Sequence, residues 1–154
     1  MLRKVVLGTA LILCTPTALA DTATGNLQVQ AVVLNTCAVA TLPVVFADVG
    51  LTSTTANGTI TVTCTNTGGF TVALNGGGSG DIAARELSHL TETSSFEYQL
   101  YTDAGFSTVW GDDSTGSTVS GTGPLDVLTV YGQTTSTPEI AGSYSDSVQV
   151  TVTF

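Results

Sequence analysis

The sequence predicts an all-β sandwich or barrel, on three observations. Apolar and polar residues alternate along several short segments, most regularly over residues 142–154. Clusters of Gly, Asn, Ser and Thr separate these segments. Only residues 81–90 offer a candidate helix. Short alternating strands joined by turn-forming residues are typical of all-β domains.

The first 20 residues are typical of a secretory signal peptide. A basic pair, Arg3 and Lys4, precedes an apolar run over residues 5–14 and an Ala-Leu-Ala sequence that ends at Ala20. The apolar run is shorter than the roughly 20 residues needed to span a bilayer, which argues against a membrane anchor. We therefore expect cleavage after Ala20 and export of a single domain.

The cysteines then predict one disulfide. Export would remove Cys14 and leave Cys37 and Cys64, and two cysteines in an oxidising compartment most simply pair with each other. Closing a loop of this length should stabilise the fold by roughly 3 to 4 kcal/mol in the chain-entropy model. The chain has no C-x-x-C motif and only one histidine, His89, so we expect no metal and no cofactor.

The charge of the chain is one-sided. It has 12 acidic and three basic residues, and removal of Arg3 and Lys4 would leave Arg85 as the only basic one. Such a protein would repel nucleic acid and anionic lipid, so neither is expected as a partner. It would instead be attracted to a basic protein surface, although the same charge could serve solubility alone.

Two alternating segments lie at the ends of the exported chain. Near its start, four apolar residues share one parity, and no turn signal directs this segment back onto its own domain; they are Leu27, Val29, Ala31 and Val33. We treat residues 21–34 as an N-terminal extension and residues 35–154 as the domain.

The second segment is a predicted C-terminal strand with a clear apolar side. That side carries Tyr144, Val148, Val150, Val152 and Phe154, and Asp146 interrupts it. Because no further strand follows, we expect the far edge of this strand to be open and to pair with a strand from elsewhere.

The remaining predicted strands lie between these two segments. They cover residues 37–40, 44–49, 59–64, 70–74, 96–100, 107–110 and 125–131. Asn57-Gly58 is interpreted as a turn and residues 76–80 as a hairpin loop.

No set of residues supports catalysis. The Gly-rich residues 76–80 lack the Lys-Ser/Thr pair of a phosphate-binding loop. Asp112 and Asp113 do not have the spacing of a calcium-binding loop. His89 has no recognisable Ser or Cys nucleophile motif. We expect neither an enzyme nor a protein with a small-molecule substrate.

Several motifs together carry a family resemblance over nearly the whole exported chain. They are the segments at 24–29, 60–64, 98–103, 110–112, 130–132 and 141–148, together with Cys37, Arg85 and Leu87. With these motifs the chain resembles the spore coat protein U family, which includes the pilin subunits of archaic chaperone-usher pili.

The resemblance implies an incomplete immunoglobulin-like sandwich that lacks its last strand. In such families a periplasmic chaperone lends a strand to the open groove, and the N-terminal strand of the next subunit replaces it at an outer-membrane usher. It implies a donor strand with Leu27, Val29, Ala31 and Val33. It also implies an acceptor groove that includes the C-terminal strand, a family disulfide between Cys37 and Cys64, and a Phe154 carboxylate available to basic chaperone residues.

The function implied is that of a structural subunit of a bacterial surface pilus. Copies of the chain would polymerise head to tail, and the fibre would support adhesion and biofilm formation. Alternatives are a tip or minor adhesin subunit and a protein of the spore coat or another envelope layer.

Overall fold

The computed structural model describes residues 21–154, so the predicted signal peptide lies outside the described residues. Residues 21–32 belong to a different unit from the rest of the described chain and form neither helix nor strand. Apolar side chains in this unit face solvent: Leu27 is 89% exposed, and Val29 and Val32 are each 85% exposed. The compact unit begins at Val33 and contains every strand described below.

The compact unit consists of nine strands in two sheets. The strands are β1 (Cys37–Leu42), β2 (Thr55–Cys64), β3 (Gly69–Leu74), β4 (Arg85–His89), β5 (Ser95–Tyr101), β6 (Val119–Thr122), β7 (Leu125–Thr134), β8 (Tyr144–Ser145) and β9 (Val150–Thr153). One sheet has the order β1-β2-β7-β5-β4-β8 and the other the order β6-β3-β9. All pairs of these strands are antiparallel. Among the described residues no helix is long and apolar enough to cross a membrane.

The core lies between the two sheets and follows the predicted alternation. Every second residue of β2, β3 and β5 points inward, where burial of apolar surface stabilises the fold. The buried core residues are Ile60, Val62, Cys64, Phe70, Val72, Leu74, Tyr98, Leu100, Trp110 and Val130. The prediction of an all-β sandwich is therefore confirmed.

The predicted disulfide is present. Cys37 and Cys64 face each other directly across β1 and β2, with their Cα atoms 4.1 Å apart. The bond fixes the edge strand β1 at the point where the chain enters the domain.

The structure corrects two predictions about the middle of the chain. Residues 81–90 contain no helix: they include β4, which pairs with β5 along its length, and this sheet pairing outweighs local helix preference. Residues 76–80 are not a hairpin loop, because the 3₁₀ turn Gly77–Ser79 joins β3 in one sheet to β4 in the other.

Two more predictions fail where a loop crosses the inner face of the larger sheet. Asn57-Gly58 is not a turn but lies inside β2, opposite Tyr131 and Val130. Residues 44–49 form no strand, because this segment runs across the sheet and packs Val44 against Gly58. Gly58 is thus required for the close approach of a loop.

The C-terminal strand differs from its prediction in continuity. It is split into β8, which pairs with β4 in the larger sheet, and β9, which pairs with β3 in the smaller one. Residues 107–110 form only isolated bridges to Tyr101 and Ser117, and β6 was not predicted from the sequence.

The close packing at Gly58 can be tested with Gly58→Ala. A Cβ there would lie 2.8 Å from both the Leu42 carbonyl oxygen and Val44 Cγ2, and the backbone oxygen cannot move aside easily. We expect a loss of about 1 to 3 kcal/mol in the free energy of unfolding, measured with urea. Gly50→Ala is the control, because nothing lies within 4 Å of that position. Equal stability of the two variants would contradict this packing.

Candidate strand-acceptor groove

An apolar groove opens between the two sheets where the chain leads into β9. It encloses a cavity of about 290 Å³. One wall is formed by the end of β1 and the loop after it, and the other by the residues that lead into β9. The apolar lining residues are Leu42, Pro43, Val44, Phe46, Ile60, Leu74, Leu87, Leu100, Val130, Val148 and Val150. Tyr98, Asp146, Ser147, Thr41 and Thr59 complete the lining.

The backbone of β9 forms strand hydrogen bonds on one side only. Its strand partner is β3, and among residues 21–154 no strand pairs with its other edge. The Leu74 N–H donates to the Gly111 carbonyl, away from β9, whereas the Asn75 N–H donates to the Gln149 carbonyl. Because hydrogen-bonding direction alternates along a strand, Val150 and Val152 direct their N–H and C=O groups toward the open edge.

The side chains at this edge are only partly covered. Val150 and Val152 point inward opposite Leu74 and Val72, which are fully buried, yet both valines remain half-buried. On β1, Val39 pairs with the buried Val62 and is still 42% exposed, and Leu42, which lines the groove, is 67% exposed. The groove therefore presents apolar surface and free backbone groups at the same positions, as an unpaired edge strand does.

Asp146 closes one end of the groove. Its Oδ2 accepts a hydrogen bond from the Tyr98 hydroxyl at 2.6 Å, and its Oδ1 accepts one from the Gly78 N–H at 2.7 Å. Gly77 lies so near, at a positive φ of 64°, that a Cβ there would come 2.0 Å from Oδ2. The carboxylate thus fastens the break between β8 and β9 to the core and to the 3₁₀ turn.

Arg85 holds the same region from inside the core. It is fully buried, and its guanidinium donates to the carbonyls of Asn75 at 2.9 Å, Trp110 at 2.8 Å and Leu74 at 3.3 Å, and also to Gln99 Oε1. Asn75 in turn accepts the Gln149 N–H on its side-chain oxygen at 2.8 Å. This network connects β4 to the end of β3 and to the residue before β9.

Burial governs the titration of both groups. Desolvation lowers the pKa of the Arg85 guanidinium, while Tyr98 and Asp146 act in the opposite direction. Desolvation raises the pKa of the Tyr98 hydroxyl far above its ordinary value, and the hydrogen bond to Asp146 raises it further. Tyr98 therefore remains a neutral donor to a carboxylate at physiological pH.

Only some of the residues that the sequence predicted for the acceptor groove lie beside it in the structure. Val148 and Val150 line it, and Val152, farther along β9, packs against the core. Tyr144 lies in the larger sheet, where its ring packs edge-on against His89 and Phe96, and Phe154 is 52% exposed beyond β9. Leu27, Val29, Ala31 and Val33 are exposed.

Sequence reasoning missed the polar residues that shape the groove. Asp146 interrupts the apolar parity, Arg85 is the one basic residue of the exported chain, and both fall within the family motifs, but none of these signals indicated a role in the groove. Within residues 21–154 no group of three or more His, Cys, Asp or Glu side chains is arranged to hold a metal ion.

This geometry defines a class of protein, a two-sheet β-sandwich with an open strand edge. A family model for the Spore Coat Protein U domain matches residues 23–151, and the chain belongs to that family. The resemblance seen in the sequence is confirmed.

A solved structure has a similar fold. It is a chain of the CsuC-CsuE chaperone-tip adhesion subunit pre-assembly complex from archaic chaperone-usher Csu pili of Acinetobacter baumannii, with a TM-score of 0.58 and 21% identity. The match covers 79% of this chain and 40% of that chain, so it shows a similar fold over less than half of the other chain. No curated protein matches the chain.

The Tyr98–Asp146 contact predicts a pH dependence of stability. Unfolded tyrosine ionises near pH 10, and Tyr98 ionises at higher pH when folded. Its contribution is therefore complete below about pH 10 and is lost as the pH rises beyond that value. Urea unfolding of Tyr98→Phe at a series of pH values should show a smaller alkaline loss of stability. At neutral pH the variant should be less stable by about 1 kcal/mol.

Tyr131→Phe is the control for this measurement. Tyr131 lies on the face of β7 that points away from the core, opposite Asn57 of β2, and is only half-buried. The control should keep the alkaline slope of the unmodified protein. An identical slope in both variants would show that Tyr98 does not cause it.

Proposed function

We propose that this protein is a structural pilus subunit that polymerises by donor-strand complementation. The observation that carries the proposal is the edge of β9, where free backbone groups and an apolar groove coincide. Strand addition satisfies both at once, because the added main chain forms the hydrogen bonds and alternate side chains fill the groove.

The proposed donor is the N-terminal extension, residues 21–34, of a neighbouring copy. Its inward parity carries Leu27, Val29, Ala31 and Val33, and its outward parity is mostly polar. β9 has the same division, with Val150 and Val152 inward and Thr151 and Thr153 outward. Directly opposed residues of neighbouring strands share a face, so apolar would meet apolar and polar would meet polar.

The energy of such an exchange is large for a domain of this size. Burial of Leu27, Val29 and Val33 contributes about 1.5 to 3 kcal/mol each, or roughly 5 to 9 kcal/mol before the cost of ordering the segment. A whole domain is typically stable by about 5 to 15 kcal/mol. A subunit with an empty groove would therefore be marginal, and head-to-tail contacts that do not close would give a fibre.

The remaining elements of the proposal follow from this mechanism. Residues 1–20 would direct export, and residues 35–154 would form the pilin domain. A periplasmic chaperone with a basic surface would protect the groove, and an outer-membrane usher would exchange its strand for that of the next subunit. The fibre would lie at the bacterial surface and support adhesion and biofilm formation, without catalysis.

A tip or minor adhesin subunit is the second candidate. The fold similarity to a chain of a complex with a tip adhesion subunit favours it, although that chain is matched over only 40% of its length. A tip subunit needs a receptor site but no donor strand. Multimers that form independently of residues 21–34 would favour this candidate.

The donor parity can be tested with Val29→Asn against Val32→Asn. Both valines are 85% exposed in the free extension, so effects on export or on the unassembled chain are matched. Only Val29 has the inward parity. We expect Val29→Asn to remove SDS-resistant multimers from unheated gels, because it would place an amide in an apolar groove, and Val32→Asn to retain them.

Deletion of residues 21–34 should remove the multimers altogether. Ladders that persist after this deletion would contradict the proposal. An equal effect of the two asparagine variants would contradict the assigned parity.

A further inference from the structure

We infer that the donor segment of one copy lies antiparallel to β9 of the next copy in a single register, with Ala31 opposite Val150 and Asn35 opposite Asp146. This inference rests on the proposed function and adds a polar contact that fixes where the donor stops. The other inward pairs of this register are Leu27 with Phe154, Val29 with Val152, and Val33 with Val148.

The inward-facing residues of the donor and of the acceptor follow the same order of polar and apolar side chains, but in opposite chain directions. From its C-terminal end, the donor reads one polar residue, Asn35, followed by four apolar ones at 33, 31, 29 and 27. From its N-terminal end, the acceptor reads one polar residue, Asp146, followed by four apolar ones at 148, 150, 152 and 154. The two patterns coincide only when the strands run antiparallel, which is also the direction of every strand pair in the sandwich.

Registers shifted by two residues place a polar residue opposite an apolar one. Moving the donor one way sets Asn35 opposite Val148, so that an amide enters the apolar part of the groove. Moving it the other way sets Val33 opposite Asp146, a carboxylate. Burial of a polar group without a partner is costly, so both shifted registers are disfavoured.

Residues 34–36 of the donor copy are already fixed to their own domain, which limits how far the segment can slide. Thr65 Oγ1 donates to the Leu34 carbonyl at 2.7 Å and accepts the Thr36 N–H at 3.1 Å. Asn66 Nδ2 donates to Asn35 Oδ1. The segment that is free to enter another copy therefore ends at Val33, which is the last apolar residue of the inferred register.

Asn35 and Asp146 have complementary groups left for each other. With Oδ1 accepting from Asn66, the Asn35 side chain keeps its N–H₂ group for a new acceptor. Asp146 accepts from Tyr98, Gly78 and its neighbour Ser147, is only half-buried, and lines the groove. A carboxylate has about four acceptor positions, so one remains available to an amide donor.

Disulfide trapping on the outward face tests the register without altering the groove. In this register Gln30 lies opposite Thr151. The backbone N–H and C=O groups of Thr151 point toward β3, so Gln30 and Thr151 would form a non-hydrogen-bonded pair. The Cα atoms of such a pair are about 4.5 Å apart. Cys37 and Cys64 form such a pair in the same sandwich, since the Cys64 N–H bonds to Pro124. We expect Gln30→Cys with Thr151→Cys to give multimers that survive boiling in SDS without reductant and collapse to monomer with reductant.

Two matched pairs report the shifted registers. Gln28→Cys with Thr151→Cys, and Val32→Cys with Thr151→Cys, should give at least tenfold less covalent multimer. Preferential trapping of either control pair would overturn the register while leaving donor exchange intact. If neither the unmodified protein nor the single Thr151→Cys variant forms multimers on unheated gels, this result counts against the proposed function.

The polar contact itself is tested by Asn35→Asp against Gln30→Glu. The first variant keeps an oxygen for Asn66 but brings a second carboxylate opposite Asp146, and directly opposed like charges are destabilising. The second adds the same charge to the outward parity. We expect the temperature at which multimers dissociate to fall by several degrees for Asn35→Asp alone. An equal fall in both variants, or none in either, would remove Asn35 and Asp146 from the register.

Discussion

The unpaired edge of β9 is the constraint on which the rest of this structure depends. Backbone N–H and C=O groups that leave water without a partner are costly, and here they lie beside apolar side chains that also lack cover. A loop could cover the valines but would not present a regular row of donors and acceptors. A strand of matching parity would meet both requirements, because its main chain would pair with the open edge and its alternate side chains would cover the valines.

An open groove must also be kept from collapsing, and the polar network does this. Arg85 and Asn75 hold the end of β3 and the approach to β9 through carbonyl and amide contacts, and Asp146 fastens the crossing between the sheets. Apolar contacts between the walls would close the groove, because apolar surfaces have no preferred separation other than contact. Directional hydrogen bonds instead fix the β9 wall to the end of β3, to the 3₁₀ turn and, through Tyr98, to the larger sheet, and the Cys37–Cys64 disulfide fixes the edge strand β1.

The sequence predicted what depends on alternation and missed what depends on long-range packing. The strands around Ile60, Val72 and Tyr98 follow from period-two burial, which is a local signal. The division of the C-terminal strand at Asp146 does not, since it arises from Tyr98 and Gly78, distant in sequence. The turn predicted at Gly58 was wrong for the same reason. A glycine is needed there because a loop crosses the sheet close to its backbone, and nothing nearby in the sequence indicates that contact.

The acidic surface would affect the proposed assembly differently when two copies first meet and when the fibre is complete. Among residues 21–154 the only Lys or Arg side chain is the buried Arg85, so copies of the domain meet as like charges. At physiological salt this repulsion extends over about 8 Å, which slows association between copies and favours a basic partner. In the proposed fibre, exposed charge pairs would contribute at most about 1 kcal/mol each, whereas apolar burial of the donor strand would contribute several. The same charge would therefore oppose premature pairing of free subunits without weakening the completed contact.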